Sequence, residues 1–158
     1  GIAVMPTDTI YGVAGSAKIP EVIERLYKVR QRPLDKPFII LIGDKSEIKK
    51  FDISFSQIQK DFLEREWGDV YQKEERPITF VIDCVPNSPD SIAYLHRTNS
   101  IAFRLPKNKN LKEFLLKTGP LLAPSANISG QTTAKNIQEV GLKPTPVIAC
   151  VPVAVLKS

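Results

Sequence analysis

Several stretches of the chain gather side chains able to hold an anion or a polar small molecule. The first is Met5-Pro6-Thr7-Asp8-Thr9-Ile10-Tyr11-Gly12. Thr7 and Thr9 offer hydroxyls, Asp8 can bond nearby backbone amides, and Gly12 lets the chain approach a ligand closely. The second is Arg30-Gln31-Arg32-Pro33-Leu34-Asp35-Lys36-Pro37. Arginine forks take two oxygens at once and the prolines keep the segment extended, which suits polyphosphate. The third pairs Ser100 with Arg104. The fourth, Ser125-Ala126-Asn127-Ile128-Ser129-Gly130, offers uncharged hydroxyl and amide groups for a ribose, a base or phosphate oxygens. Each stretch has an ordinary counterpart: an Asx turn, a solvated basic face, an ion-paired arginine, a Ser/Asn turn. Their joint presence in one small chain favours a site.

Other chemistry is missing. The sequence has no Walker-type loop and no Gly-x-Gly-x-x-Gly pattern. His96 is the one histidine and falls in an expected loop, which disfavours a Ser-His-Asp relay and a histidine metal centre. Trp67 and the phenylalanines read as core. No residue stands out as a covalent nucleophile, so catalysis would rest on positioning and charge stabilisation.

These residues need elements to hold them. Ile2-Ala3-Val4 reads as a strand that runs straight into the opening turn, at the strand end where open α/β sheets bind ligands. Pro20 to Arg30 reads as a helix, with proline at the first position, Glu21 and Glu24 early, and an apolar face of Val22, Ile23, Leu26, Tyr27 and Val29. Phe38 to Ile42 is a continuous apolar run, expected of a strand buried on both faces. Ser46–Phe51 and Ser56–Trp67 read as helices, and Gly68–Arg76 as a charged loop. Ile78–Val85 and Ile101–Leu105 read as strands flanking a loop over Pro86–Asn99. Leu111–Thr118 reads as a helix closed by Gly119-Pro120, and Leu121–Ala123 as a short strand. A helix capped by Thr133 and running to Val140, then a strand over Val147–Leu156, complete the pattern. Alternating strands and helices give one α/β domain over residues 1–158, with a twisted open sheet that is mixed or largely parallel.

Composition agrees. The 158 residues suffice for one core, 42% are hydrophobic and 25% charged. The two cysteines, Cys84 and Cys150, are far apart in apolar runs and read as reduced core residues. No signal peptide and no bilayer-length apolar run are visible, which points to the cytoplasm and away from membranes. The net charge of +5 favours an anionic partner. It is concentrated: Arg25, Lys28, Arg30, Arg32 and Lys36 stand against the single acid Asp35 between residues 25 and 36.

Taken together, the chain resembles the YrdC-like family, the threonylcarbamoyl-AMP synthases. The matching segments are residues 6–12, 30–37 and the strand after them, Pro77-Ile78-Thr79-Phe80-Val81, Ile101-Ala102-Phe103-Arg104, and residues 120–130, in the family's order. The resemblance implies a twisted α/β sheet with a concave, basic face. It implies that threonine and bicarbonate give N-carboxythreonine, which ATP activates to threonylcarbamoyl-AMP with release of pyrophosphate. That product feeds threonylcarbamoyladenosine formation in tRNA through a downstream transferase, with contact to tRNA or double-stranded RNA as a further implication. Mg²⁺ is expected with ATP, on phosphate oxygens, with few or no protein ligands.

Carried over by position, Arg30, Arg32, Lys36, Ser100, Ser125, Asn127 and Thr133 match ATP contacts. Thr9, Leu41, Arg104 and Ala123 match the threonine site, with Arg104 near the carboxylate. The chain departs from the family at Arg30, where a lysine is usual, at Leu41, where many relatives carry histidine, and at Trp67-Gly68-Asp69, where Trp-Pro-Gly-Pro is usual. The alternative reading is a non-catalytic RNA- or nucleotide-binding member; a weaker one is a relative that transfers a carbamoyl group to another acceptor.

Overall fold

Strand β1 (Ile2–Pro6) turns back through four residues into β2 (Tyr11–Ser16), and the two pair antiparallel from Ile2↔Gly15 to Pro6↔Tyr11. The opening turn is therefore the tip of a hairpin, not a loop leading from strand to helix. The computed structural model describes residues 1–73, 77–88, 98–130 and 132. The expected helix at Thr133–Val140, the strand at Val147–Leu156, His96 and Cys150 lie outside the described residues.

Helix α1 (Pro20–Arg30) starts on Pro20 and has the boundaries its pattern predicts. It ends in a Schellman turn: the Arg32 amide donates to the Tyr27 carbonyl and the Gln31 amide to the Lys28 carbonyl. Gln31 takes the left-handed conformation there, with φ 48°. After β3 (Ile39–Leu41), a 3₁₀ segment over Lys45–Lys50 is capped by the Asp44 side chain. Strand β4 (Ile53–Ser54) leads to α2 (Gln57–Arg65), which opens with a capping box between Ser56 and Gln59. A π-helical turn over Glu66–Val70 and the short α3 (Tyr71–Lys73) follow, where a loop was expected. Then come β5 (Thr79–Asp83), β6 (Val85–Pro86), β7 (Ser100–Arg104), α4 (Lys109–Thr118) and β8 (Leu121–Leu122).

The main sheet has the order β1-β2-β8-β3-β7-β5, and β4 pairs with β6 apart from it. Among the described strands only β3 and β7 run parallel; the other neighbours are antiparallel. The mixed sheet is as expected, but it leans antiparallel; for β1 and β2 the four-residue link allows no other pairing.

Successive strand residues face opposite layers. Val4, Val13, Ile40, Phe103 and Leu122 join α1, Leu63 of α2 and Trp67 in the larger core. Met5, Ala14, Leu41 and Leu121 face α4 through Leu111 and Leu115. The sheet is thus covered on both faces. Trp67 is buried as expected and meets Phe80 edge to face, with ring centres 4.9 Å apart. Cys84 is a buried free thiol.

Candidate functional site

The hairpin tip, the segment after α1, the ends of β3 and β7, and the loop after β8 converge on one hollow of about 370 Å³. Its polar lining is Thr7, Thr9, Arg30, Arg32, Arg104 and Ser125. Its apolar lining includes Ile10, Phe38, Ile39, Leu41 and Ala123. Among the described residues no aspartate or glutamate lines it, so three guanidiniums face it without a countercharge from that lining. Burial of this size and mixed character suits a small-molecule ligand.

Arg104 closes β7. Its Nε donates to the Thr79 hydroxyl across the β5–β7 ladder at 2.7 Å, and Thr79 is its register partner. The backbone carbonyl of Arg104 accepts from the Ile42 amide at 3.0 Å. With Nε engaged, the terminal nitrogens find no acceptor among the described residues and remain for a ligand carboxylate or phosphate.

Arg32 is shaped by its own loop. Its Nε donates to the Lys36 carbonyl at 2.9 Å, and Nη2 to the Pro37 carbonyl at 3.0 Å. Its guanidinium lies 5.1 Å from the centre of the Phe38 ring. The plane of the fork is therefore set before any ligand arrives.

Arg30 ends α1 and is only 4% exposed. Its Nε donates to the Asn127 carbonyl at 2.8 Å, and Nη2 to the Ser125 hydroxyl at 3.1 Å and the Asn127 Oδ1 at 3.3 Å. Burial first, and then the Arg32 charge, bring its pKa down to about 10, so it stays cationic at neutral pH.

The loop that Arg30 holds is tied a second time to β2. Val13 donates to the Pro124 carbonyl and Ala126 to the Tyr11 carbonyl, both at 2.8 Å, and Gly12 bridges to Ser125. A Cβ on Gly12 would meet the Pro124 oxygen at 3.1 Å and the Ala123 oxygen at 3.2 Å. Gly12 thus admits the neighbouring loop, where the sequence suggested room for a ligand.

At the hairpin tip the Thr7 hydroxyl donates to the Ile10 carbonyl at 2.6 Å. Its oxygen accepts from the Thr9 and Ile10 amides, both at 3.3 Å, and lies 3.3 Å from the Thr9 hydroxyl. The Thr9 hydroxyl is thus held beside Thr7 at the rim of the hollow.

The hollow brings together Thr9, Arg30, Arg32, Leu41, Arg104, Ala123 and Ser125. Asn127 sits behind it, 8% exposed, gripped by Arg30. Lys36 is exposed and contributes its carbonyl to Arg32 and to the Tyr27 hydroxyl, and it does not line the hollow. Ser100 starts β7, four residues from Arg104, or about 13 Å along the strand. Thr133 lies outside the described residues. Sequence reasoning did not find Thr79 as the partner of Arg104, nor Thr7 as the residue that orients Thr9. The signal for the second was present: a Thr-x-Thr pair two residues apart in a turn can bond through both hydroxyls.

No group of three or more metal-ligating side chains occurs among the described residues, and no helix there is long and apolar enough to cross a membrane.

The chain is similar to known proteins. Residues 1–149 match the family model Sua5_yciO_yrdC, described as "Telomere recombination". The chain is 28% identical over 142 residues to a threonylcarbamoyl-AMP synthase of Bacillus subtilis, covering 88% of this chain and 38% of that protein. It is 30% identical over 145 residues to a threonylcarbamoyl-AMP synthase of Histophilus somni, covering 90% of this chain and 74% of that one. Among solved structures, P. abyssi Sua5 complexed with L-threonine superposes with a TM-score of 0.66 at 25% identity, covering 88% of this chain and 38% of that chain. The chain thus spans well under half of the Bacillus and P. abyssi proteins. With the fold, the hollow and these likenesses in hand, the chain belongs to the Sua5/YciO/YrdC family.

Proposed function

We propose that this chain is an L-threonylcarbamoyladenylate synthase, a nucleotidyltransferase that takes L-threonine, bicarbonate and ATP. The observation that carries the reading is the cationic hollow itself: three arginines, two threonine hydroxyls and a serine hydroxyl around a partly apolar floor, with no acid among the described lining residues. Arg104, aimed by Thr79, takes the amino-acid carboxylate. Thr9 accepts from its ammonium or hydroxyl, and Leu41 and Ala123 pack against its methyl group. Arg32 takes phosphate oxygens, and Ser125 adds a hydroxyl to the nucleotide side.

The threonine amine adds to bicarbonate with loss of water and gives the carbamate. A carbamate oxygen then attacks the α-phosphorus of ATP, and pyrophosphate leaves with the bonding pair. The chain contributes alignment and positive charge, and no covalent intermediate with protein is needed. Mg²⁺ would arrive on the triphosphate, because the described lining residues supply no carboxylate to hold it; its chemistry would be charge neutralisation of phosphate oxygens. The product would pass to a separate threonylcarbamoyl transferase acting on tRNA in the cytoplasm, with the excess positive charge as a surface for RNA.

The test is pyrophosphate release from ATP by the purified chain. The reading requires release that depends on both threonine and bicarbonate. Release that ignores either one, or none at all alongside salt-sensitive RNA binding, overturns it in favour of a binding module.

A further inference from the structure

Arg30 is the one arginine of the hollow whose side chain is almost wholly enclosed, and the groups that enclose it belong to the Ser125–Asn127 loop. Its Nε and Nη2 reach Asn127 O, Asn127 Oδ1 and Ser125 Oγ, and its backbone carbonyl accepts from the Ser129 amide at 2.8 Å. The loop is therefore fastened to the end of α1 through four acceptors or donors in succession.

Proton counting gives this fastening a chemical consequence. A guanidinium has no lone pair to offer, so in the Arg30–Ser125 bond the serine oxygen must be the acceptor. The serine proton is then free, and it finds no acceptor among the described residues. Ser125 lines the hollow. The Asn127 amide nitrogen meanwhile donates to the Ile128 carbonyl at 3.0 Å, so the asparagine side chain is oriented by donor and acceptor contacts at once.

We propose that Arg30 is a positioning residue: it acts on the ligand through Ser125, holding that hydroxyl as a hydrogen-bond donor aimed into the hollow at an oxyanion, and does not itself grip phosphate. The proposal deepens the nucleotide reading above and rests on it for the identity of the oxyanion, a phosphate oxygen. It accounts for the choice of arginine at this position. A lysine ammonium is a point donor on a flexible stem and cannot reproduce a fork over three acceptors.

The test is a double-mutant cycle on the full chain, with ATP affinity measured by calorimetry for the parent, Arg30→Met, Ser125→Ala and the double variant. Amide hydrogen exchange over residues 126–129 is followed in parallel. If Arg30 acts through Ser125, Ser125→Ala weakens ATP about 5- to 10-fold in the parent and by less than twofold when Met already stands at position 30. Exchange of the Ser129 amide rises at least tenfold in Arg30→Met. Arg30→Lys keeps the charge but restores neither affinity nor protection.

Additive losses, or full rescue by Arg30→Lys, show a direct charge contact and overturn the proposal. So does unchanged exchange in Arg30→Met. Should Arg30→Met not fold, Asn127→Ala removes one acceptor from the loop side and must also deprotect Ser129; its failure to do so counts equally against the proposal. If the parent binds no ATP while the exchange results hold, the positioning role stands and the nucleotide reading alone falls.

Discussion

Arg104 and Thr79 stand opposite each other on β7 and β5, and the Nε of the arginine rests on the threonine hydroxyl at 2.7 Å. A strand-end arginine is otherwise a long, mobile side chain. Tied at Nε, it keeps its terminal fork turned to one side, towards the hollow.

Thr79→Val removes the acceptor and keeps the shape. A half-buried bond to a charged donor contributes about 1 kcal/mol here, so the threonine KM should rise roughly fivefold. ATP affinity should stay within about twofold. Steady-state kinetics with each substrate varied in turn reads both numbers; an equal rise for ATP would remove Thr79 from this role.

Thr7→Val should act on amino-acid choice. It takes away the oxygen that accepts from the Thr9 amide and lies 3.3 Å from the Thr9 hydroxyl, and so loosens the placement of Thr9. Discrimination between threonine and its hydroxyl-free analogue 2-aminobutyrate should narrow by about 5- to 10-fold. Competition assays with the two amino acids measure it, and unchanged discrimination would remove Thr7 from the role of placing Thr9.

Gly12 and Gly43 separate site from scaffold. A methyl on Gly43 would meet the Lys112 carbonyl at 2.8 Å and the Leu116 amide at 2.9 Å, both in the backbone of α4. Gly43→Ala should cost about 2 kcal/mol, or roughly 4–8 °C in Tm. Gly12→Ala presses on the Ala123 and Pro124 carbonyls by only a few tenths of an ångström. Its expected signature is a loss of ATP affinity with a smaller change in Tm. Thermal melts beside calorimetry distinguish the two.

Much of this was legible beforehand, and the misses have physical causes. Helix α1 announced itself through Pro20 and an apolar face at helical spacing, and the α4 boundary missed by only two residues because Asn108 caps it. Strand β2 went unseen because Tyr-Gly-Val-Ala-Gly-Ser carries few strand formers. Those small residues have a packing reason: a Cβ on Gly15 would come within 2.5 Å of Val22 in α1 and 3.1 Å of Ile2 in β1. The turn was read without its second strand, and its Thr7 and Thr9 do line the hollow. The arginines were visible as a cluster, but their division of labour was not. That division depends on Asn127 lying 97 positions away against Arg30, a proximity only the fold creates.

Alkali offers a further check. Burial, the largest cause in each case, pushes Tyr27 and Tyr71 up from 10.0 to about 12 and Cys84 from 9.0 to about 11. The unfolded chain releases these protons first, so their contribution to stability is complete below pH 9 and is lost as pH rises to about 12. Arg30 opposes this, since its folded value of about 10 lies below that of a free guanidinium and its penalty eases as pH rises past it. Three groups outweigh one, and the urea midpoint should fall steadily above pH 9. Tyrosinate absorbance should show Tyr27 and Tyr71 silent at pH 10 in the native chain; ionisation of both there would contradict their burial.

The central claim is that one hollow holds an amino-acid carboxylate and a triphosphate side by side on different arginines. Its most direct test is the crossed binding of threonine and ATP to Arg32→Ala and Arg104→Ala. The account predicts that Arg104→Ala weakens threonine at least tenfold with ATP changed by less than threefold, and that Arg32→Ala does the reverse. Equal losses of both ligands in both variants would contradict it.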